Sequence, residues 1–337
     1  MSVILSFIVP TYNSESYIKR CLDSFLIENR EHKFEVIIVN DGSTDQTPEL
    51  VSAYVKEYPE IFRLYNQENG GHGAAINTGV RLVKGVYFKV IDADDWIETK
   101  NLENYICELE KIDADVILTE SKTFHIQTKS IGIWKTAIED YKRGYTLEDV
   151  KKNWRSMELC LNFHGITYKT DFYKEKGINL EEHIFYEDHQ YATIPCCYAK
   201  SIRIVPLVLY VYRIGDVSQS ISEENQYQRH HHLETVIRCM VEYFEQHDLQ
   251  GAERYYYLEK LSHLVVSYLV VMLLICKDQK IGKREAECLW NTLPQEVSRK
   301  CKKRYEVLRW MNRMHISKKM FDKILNSRIY RNLVKNT

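Results

Sequence analysis

Residues 34–45, Phe-Glu-Val-Ile-Ile-Val-Asn-Asp-Gly-Ser-Thr-Asp, are the stretch that decides the fold. The first six are mostly apolar and β-branched without strict alternation, which predicts a strand buried on both faces, as in a parallel sheet. A polar turn follows at Asn40 and Asp41, and then Thr47 and Pro48 provide the N-cap and first position of a helix. This order of strand, polar turn and helix predicts one βα unit of an α/β fold.

Two other segments repeat the arrangement of an apolar run with a polar end. Residues 5–9 lead into Pro10-Thr11-Tyr12-Asn13, and residues 87–91 lead into Asp92-Ala93-Asp94-Asp95. Ligands of open α/β sheets bind outside the carboxyl ends of the strands. A single polar turn of this kind often only caps a helix, so the combination of three carries the information. We therefore predict a mainly parallel sheet flanked by helices, with a ligand site at one edge.

The run of carboxylates from Asp92 to Asp95 is the first candidate for chemistry. Clustered carboxylates repel one another, and a bound cation relieves that repulsion. Oxygen ligands suit Mg²⁺ or Mn²⁺, whose remaining positions are filled by water and substrate phosphates. The alternative interpretation is a solvated turn in which Asp95 caps the next helix.

A glycine-rich stretch, Asn-Gly-Gly-His-Gly-Ala-Ala-Ile-Asn-Thr-Gly at residues 69–79, follows the third predicted strand. It does not match a phosphate-binding P-loop. It is also a poor dinucleotide fingerprint, because Ile76 stands where the third glycine belongs. Its glycines would still bring the backbone close to a nucleotide, and His72 would add a donor or a positive charge near phosphate.

Together these four motifs, in this order, resemble the family 2 glycosyltransferases of the GT-A fold, over roughly residues 1–215. The resemblance implies an inverting, metal-dependent transferase of hexosyl or N-acetylhexosaminyl type. It would move a sugar from a nucleotide diphosphate, first of all a UDP-sugar, to a hydroxyl of a glycan or lipid-linked glycan. Its implied setting is bacterial surface or exopolysaccharide synthesis, with Mn²⁺ or Mg²⁺ as cofactor.

The resemblance also implies roles for single residues. Asp41 would hydrogen-bond the uracil ring, Asp92 would lie near the ribose and contribute to the metal site, and Asp94 would be the principal metal ligand. His72 becomes a candidate substitute for an arginine of the family, since Ile76 occupies that position. The remaining donor-binding candidates are Pro10, Thr11, Tyr12, Asn13, Asn69, Gly70, Gly71, Asn77 and Arg213.

A general base is the other group that inverting transfer requires, since the acceptor hydroxyl must lose its proton. Relatives carry a Glu-Asp pair about 90 residues after the metal motif, and Glu187-Asp188 stands 94 residues after Asp94. The resemblance implies Asp188 as the base and Glu187 as its neighbour or an acceptor contact. The alternative is an acidic pair that favours the dipole at a helix N-terminus. Trp96 and Trp154 are the aromatic candidates for an acceptor groove.

The rest of the chain predicts a second domain. We expect a glycosyltransferase domain over residues 1–220 and a helical accessory domain over residues 221–337, which also offers a surface for a dimer or trimer. The apolar run of residues 264–276 is too short to span a bilayer and predicts a buried helix.

The segment 299–335 contains 13 Lys and Arg residues against two acidic ones, with an apolar stripe and Trp310. It predicts peripheral contact with an anionic membrane, the alternative being a bundle whose polar face is basic. The net charge of −1 gives no reason to invoke nucleic acid. Nine cysteines without a C-x-x-C pair are typical of reduced thiols, which favours a cytoplasmic enzyme at the inner face of the membrane.

Two other functions compete with sugar transfer. A nucleotidyltransferase acting on sugar phosphates would carry a basic, glycine-rich loop after the first strand, whereas the sequence has no Gly there and no Lys before Lys19. A noncatalytic scaffold that binds glycan or partner proteins would be expected to have lost at least one of Asp92, Asp94 and Asp188.

Overall fold

The computed structural model describes residues 3–27, 33–216, 219 and 222–320. Within these residues nine strands form one sheet of order β3-β2-β1-β4-β8-β6-β9-β5, and β7 pairs with β6. The strands are β1 (Leu5–Thr11), β2 (Phe34–Asp41), β3 (Phe62–Gln67), β4 (Tyr87–Val90), β5 (Trp96–Ile97), β6 (Val116–His125), β7 (Ile131–Trp134), β8 (Ile166–Lys169) and β9 (Ile202–Ile214).

Helices alternate with the first four strands and then dominate the C-terminal part. The helices are α1 (Ile18–Asp23), α2 (Thr47–Glu57), α3 (His72–Leu82), α4 (Leu102–Leu109), α5 (Leu147–Lys152), α6 (Trp154–Met157), α7 (Thr170–Glu175), α8 (Asp188–Tyr191), α9 (Glu223–Gln228), α10 (His230–Gln246), α11 (Gly251–Val270), α12 (Gln279–Thr292) and α13 (Gln295–Arg313). A π-helical segment, Val271–Ile275, continues α11.

The first four strands are the parallel part of the sheet. β1 pairs in parallel with β2 and with β4, and β2 pairs in parallel with β3. Every residue of β1 and β2 is buried, as their unbroken apolar runs predict. Because the strands are parallel and adjacent, their carboxyl ends meet at one edge, where the polar segments after β1, β2 and β4 lie.

The later strands turn the sheet from parallel to mixed. β8 runs antiparallel to β4 and to β6, and β5 runs antiparallel to β9, while β9 is parallel to β6. The prediction of a mainly parallel sheet is therefore confirmed for β1 to β4 and does not extend to the rest. Antiparallel neighbours need no crossover helix, so the βα rhythm that predicts a parallel sheet is absent between residues 121 and 215.

The chain divides into two compact units. The first contains residues 1–216 and 249–257, and the second contains the described residues of 217–248 and 258–337. The predicted boundary falls on residues 220 and 221, which lie outside the described residues.

One helix, Gly251–Ile275, has the length and the apolar composition to cross a membrane. Of its most apolar 18-residue window, 56% is buried within the protein, and buried core helices also meet these criteria. The predicted burial of the run that begins at residue 264 is confirmed at Leu264, Val265, Tyr268 and Leu269.

Candidate functional site

Asp41, the last residue of β2, anchors the glycine-rich turn that precedes α3. Its Oδ1 accepts hydrogen bonds from the Gly70 amide at 2.9 Å and the Gln67 side chain at 2.7 Å, and its Oδ2 accepts from the Gly71 amide at 2.8 Å. Gly71 has a φ of +88°, and a Cβ there would lie 2.9 Å from the backbone nitrogen of His183. Asp41 is 2% exposed, so the structure gives it a part in shaping the turn, and its contact with uracil stays a prediction.

The end of β1 presents an exposed aromatic ring beside this turn. Pro10 and Thr11 finish the buried strand, whereas Tyr12 is 52% exposed. Asn13 has a positive φ of +45°, and its Oδ1 accepts a hydrogen bond from the Thr44 amide at 2.8 Å. The loops after β1 and β2 are thereby joined, with the Tyr12 side chain in solvent next to them.

Asp92, Asp94 and Asp95 form an acidic cluster directly after β4. One carboxylate oxygen from each lies within 4.8 Å of the others. Asp95 is buried, accepts hydrogen bonds from the Tyr210 hydroxyl at 2.5 Å and the Arg213 amide at 2.6 Å, and has its pKa raised by burial and by the two neighbouring carboxylates. Asp92 and Asp94 remain about one-third exposed, so they are the oxygen donors that fit Mg²⁺ or Mn²⁺.

Arg213, near the end of β9, lies beside this cluster, and its predicted contact with the donor stays a prediction. Its Nη1 is 3.6 Å from Oδ2 of Asp94, and its Nη2 is 2.6 Å from Oδ2 of Asp216. The guanidinium carbon lies 4.3 Å from the centroid of the Tyr17 ring, a cation–π contact that fixes its plane. A positive group is thus held next to the carboxylates, in a position suited to an anionic ligand.

His72 connects the acidic cluster with the Glu187-Asp188 pair. Its Nε2 is 2.9 Å from Oδ1 of Asp92, and its Nδ1 is 2.5 Å from Oε1 of Glu187, 115 residues further along the chain. Burial lowers the pKa of His72, but the carboxylates of Asp92 and Glu187 outweigh it and raise that pKa well above its usual value. The His72 ring thus lies between two carboxylates. Its predicted contact with phosphate stays a prediction.

Glu187 and Asp188 differ in exposure although they are adjacent. Glu187 is 2% exposed, and its burial raises the pKa of its carboxyl while His72 opposes that shift. Asp188 begins α8 and is only half-buried. Of the pair, Asp188 is the carboxylate with the greater solvent exposure, whereas Glu187 is bonded to His72.

The two asparagines predicted to bind the donor make contacts with the backbone, and their contact with the donor stays a prediction. The Asn77 amide donates to the Leu180 carbonyl at 3.0 Å and accepts from the Leu180 amide at 2.9 Å. The Asn69 amide donates to the Asp41 carbonyl at 2.8 Å. Asn77 therefore attaches the segment before Glu187 to α3, a contact across 103 residues that sequence spacing did not reveal.

The comparisons with known proteins agree with this geometry. Residues 6–170 match the family model described as Glycosyl transferase family 2. The chain contains a family 2 glycosyltransferase domain. EpsH of Bacillus subtilis (strain 168), a protein named as a glycosyltransferase, is 31% identical over 225 residues, which cover 62% of this chain and 60% of EpsH. The teichoic acid poly(glycerol phosphate) polymerase of Staphylococcus epidermidis is 38% identical over 181 residues, 53% of this chain and 24% of the polymerase.

The fold of this chain has a counterpart among solved structures. Residues 1–349 of S. aureus TarS, crystallised with UDP-GlcNAc, align with a TM-score of 0.64 at 20% identity, covering 92% of each chain. The likeness, together with the matching domain, confirms the predicted class: a GT-A sheet with flanking helices, followed by a helical region. The matched region spans less than two thirds of EpsH.

Proposed function

We propose that the chain is an inverting glycosyltransferase that moves a sugar from a UDP-sugar to a hydroxyl of a glycan or lipid-linked glycan in cell-surface polysaccharide synthesis. The observation that carries this proposal is the His72 bridge, which joins Asp92 of the predicted donor site to Glu187 of the predicted catalytic pair. The names of two similar proteins support the substrate class, because TarS was crystallised with UDP-GlcNAc and the S. epidermidis relative polymerises a teichoic acid.

The donor end of the proposed site consists of Asp92, Asp94 and Arg213. Asp94 and Asp92 would hold Mn²⁺ or Mg²⁺, with Arg213 reaching the diphosphate from the other side. The bound cation would neutralise the charge that develops on the departing diphosphate. Tyr12 and Asp41, at the ends of β1 and β2, would contact the nucleotide, as the family resemblance implies.

The acceptor end depends on Asp188. Its carboxylate would accept the proton of the acceptor hydroxyl while that oxygen forms a bond to the anomeric carbon of the donor sugar. The bond between that carbon and the diphosphate oxygen breaks, and its electron pair leaves with UDP. Attack on the face opposite the leaving group inverts the anomeric configuration. Glu187, bonded to His72, would fix the backbone from which Asp188 projects.

A panel of UDP-, GDP- and dTDP-sugars, each with and without Mn²⁺, tests the proposal. A ligand that binds only the folded state raises the melting temperature, so the donor is the nucleotide sugar that gives the largest increase. We expect a UDP-sugar with Mn²⁺ to give the largest shift and to release UDP slowly by hydrolysis. A larger shift with a GDP- or dTDP-sugar contradicts the choice of UDP. If no donor releases its nucleotide diphosphate, the proposed transferase activity is wrong.

We also propose that the enzyme is cytoplasmic and rests on the inner face of the cell membrane through α13. The exposed fractions of Val307, Trp310 and Met314 are 52%, 57% and 58%, and these residues are spaced along one helix face. Seven Lys and Arg residues of α13 accompany them, against two Glu. A helix of this kind binds anionic bilayers through apolar insertion and charge. Residues 321–335 of the predicted basic segment lie outside the described residues.

Co-sedimentation with vesicles tests the membrane proposal. Anionic but not zwitterionic vesicles should pellet the protein, and salt should weaken the binding. Trp310→Ser should reduce pelleting, whereas Ile131→Ser, at a residue of β7 that is 59% exposed, should not. Equal pelleting of both variants and the wild type contradicts the role of α13. An oligomer formed through the helical unit stays a prediction.

A further inference from the structure

A row of aromatic rings leads away from the acidic cluster toward the surface. The buried Tyr210, whose hydroxyl donates to Asp95, has its ring centroid 4.7 Å from that of His164. His164 stacks on Tyr212 at 4.3 Å with an angle of 30° between the planes. Trp134 follows, 5.5 Å from His164 and 6.0 Å from Tyr212. Tyr210 is fully buried, whereas Trp134, His164 and Tyr212 are half-buried, so the row opens outward.

This row also lies close to the proposed base. Burial raises the pKa of Tyr212, and the carboxylates of the acidic cluster and of Asp188 add to that shift. Burial lowers the pKa of His164 to about 4, against the opposing charges of Asp92 and Asp188. The Phe163 ring lies 5.7 Å from that of His164 and 5.9 Å from that of His72, which contacts Asp92 and Glu187, so the row lies near both acidic groups.

The middle of the row is held rigidly by its backbone. The His164 carbonyl accepts a hydrogen bond from the buried Lys89 ammonium at 2.7 Å. At the next residue, Gly165, a Cβ would come within 2.1 Å of the Cys160 carbonyl oxygen, so this turn admits only glycine. Among the described residues the buried Nδ1 of His164 has no hydrogen-bond partner. A fixed ring with an unused polar atom is typical of a binding surface more than of a packed core.

We infer that Trp134, His164 and Tyr212 form the acceptor subsite, on which a pyranose ring of the acceptor glycan stacks while its reacting hydroxyl points toward Asp188. The inference rests on the proposed function. One face of a pyranose carries C–H groups with slight positive charge, and that face is attracted to the negative face of an aromatic ring. Binding sites combine such aromatic walls with a few polar groups that fix orientation.

The two tryptophans favoured by the sequence fit this role less well. The Arg20 guanidinium lies 3.3 Å from the centroid of the Trp96 ring and covers one of its faces. Trp154 is 9% exposed and packs edge-on against Tyr256 at 5.8 Å. Trp134 instead ends the edge strand β7, is half-buried, and has ring contacts to His164 and Tyr212.

Saturation-transfer NMR on the full chain with UDP and Mn²⁺ tests the subsite. The probes are the methyl β-glycosides of glucose, galactose and N-acetylglucosamine. We expect ring protons of at least one glycoside to receive saturation from the wild type, and Trp134→Ala to weaken that binding about tenfold, equivalent to the loss of one stacking contact. Trp134→Phe should retain most of the affinity. Trp310→Ala, at an exposed tryptophan of α13, should behave as the wild type.

The UDP signals keep this test separate from that of the proposed function. UDP should receive saturation equally in all four proteins, because none of the changed residues belongs to the donor site. Equal glycoside binding by Trp134→Ala and wild type, or no glycoside binding by the wild type with UDP bound, overturns the acceptor subsite. Absence of UDP saturation in the wild type counts against the proposed function, while glycoside binding without UDP still supports the subsite.

Discussion

The two halves of the sheet contribute to the candidate site in different ways. In the half formed by β1 to β4, each functional group follows directly after a strand, so parallel pairing alone brings Tyr12, Asp41 and Asp92 to one edge. In the half formed by β5 to β9, groups from distant segments converge through antiparallel pairing and loop contacts. In the first half the sequence predicts both the groups and the edge where they meet, whereas in the second half it predicts Glu187, Asp188 and Arg213 but not their contacts.

The largest expected effect on transfer is at Asp94, in the half of the sheet formed by β1 to β4. Asp94→Ala should lower transfer by at least about 10³-fold and remove the Mn²⁺-dependent part of UDP binding, because metal and donor lose their main ligand. Rates and UDP affinity with and without Mn²⁺ are the measurements. Asp113→Ala is the matched control, since the Asp113 side chain is 85% exposed. Near wild-type transfer by Asp94→Ala, with the same metal requirement, would show that the metal lies elsewhere.

In the second half the corresponding change is Asp188→Asn, which is nearly isosteric but cannot accept the proton. Donor affinity should survive while kcat falls by about 10²–10⁴-fold, the usual contribution of a general base. Glu187→Gln should lower kcat less, because the Glu187 side chain positions Asp188 and does not itself transfer a proton. An unchanged kcat in Asp188→Asn would move the base to another carboxylate, with Asp171 and Glu182 the next candidates.

Substituting alanine for one glycine in each half compares how much the two halves lose in free energy of unfolding. Gly71 and Gly177 both have positive φ, but an added Cβ at Gly71 would meet the His183 backbone at 2.9 Å, whereas at Gly177 it would meet nothing within 4 Å. Gly177→Ala should lower the free energy of unfolding by about 1–2 kcal/mol, the cost of the left-handed backbone. Gly71→Ala should lower it further and weaken UDP binding. Equal losses in denaturant titrations would contradict the close approach at Gly71.

A further comparison lies at the junction of the halves, where Lys89 of β4 donates to the carbonyls of His164 and Ile166. Burial lowers the pKa of Lys89 from 10.5 to about 7. Between these values the unfolded chain binds a proton that the folded chain does not, so the free energy of unfolding should rise with pH, by at most about 1.4 kcal/mol per unit. Lys89→Met should remove this slope and Lys84→Met should keep it. Identical slopes in Lys89→Met and wild type would show that the pKa of Lys89 is not lowered in the folded protein.

The sequence predicts more of the fold than of the site. Strand–helix alternation and the polar strand ends predict β1 to β4 and the edge where Asp92 and Asp94 lie. The mixed half escapes prediction because its pairings join segments with irregular apolar spacing, such as β6 with β8. Trp134, His164 and Tyr212 carry no local signal, since their proximity depends on those pairings.

The sequence predicts His72 as a site residue but does not predict its contact with Glu187. The glycine-rich stretch identifies it as a polar group near a nucleotide, but the bond to Glu187 spans 115 residues and depends on the segment held by Asn77. A single sequence contains no record of that contact. The structure adds a link from His72 to both ends of the site, and the phosphate contact of His72 stays a prediction.

A double-mutant cycle on His72 and Glu187 tests the central claim, that the acidic cluster and the Glu187-Asp188 pair form one site. The rates of UDP release from the responding donor are measured for wild type, His72→Ala, Glu187→Ala and the double variant, each shown to be folded by its melting curve. We expect strong coupling between His72 and Glu187, of about 0.5–3 kcal/mol. The double variant should therefore be little slower than the slower of the two single variants. If the losses in rate multiply, as we expect when His72→Ala is combined with the distant Asp113→Ala, the acidic cluster and the Glu187-Asp188 pair do not form one site.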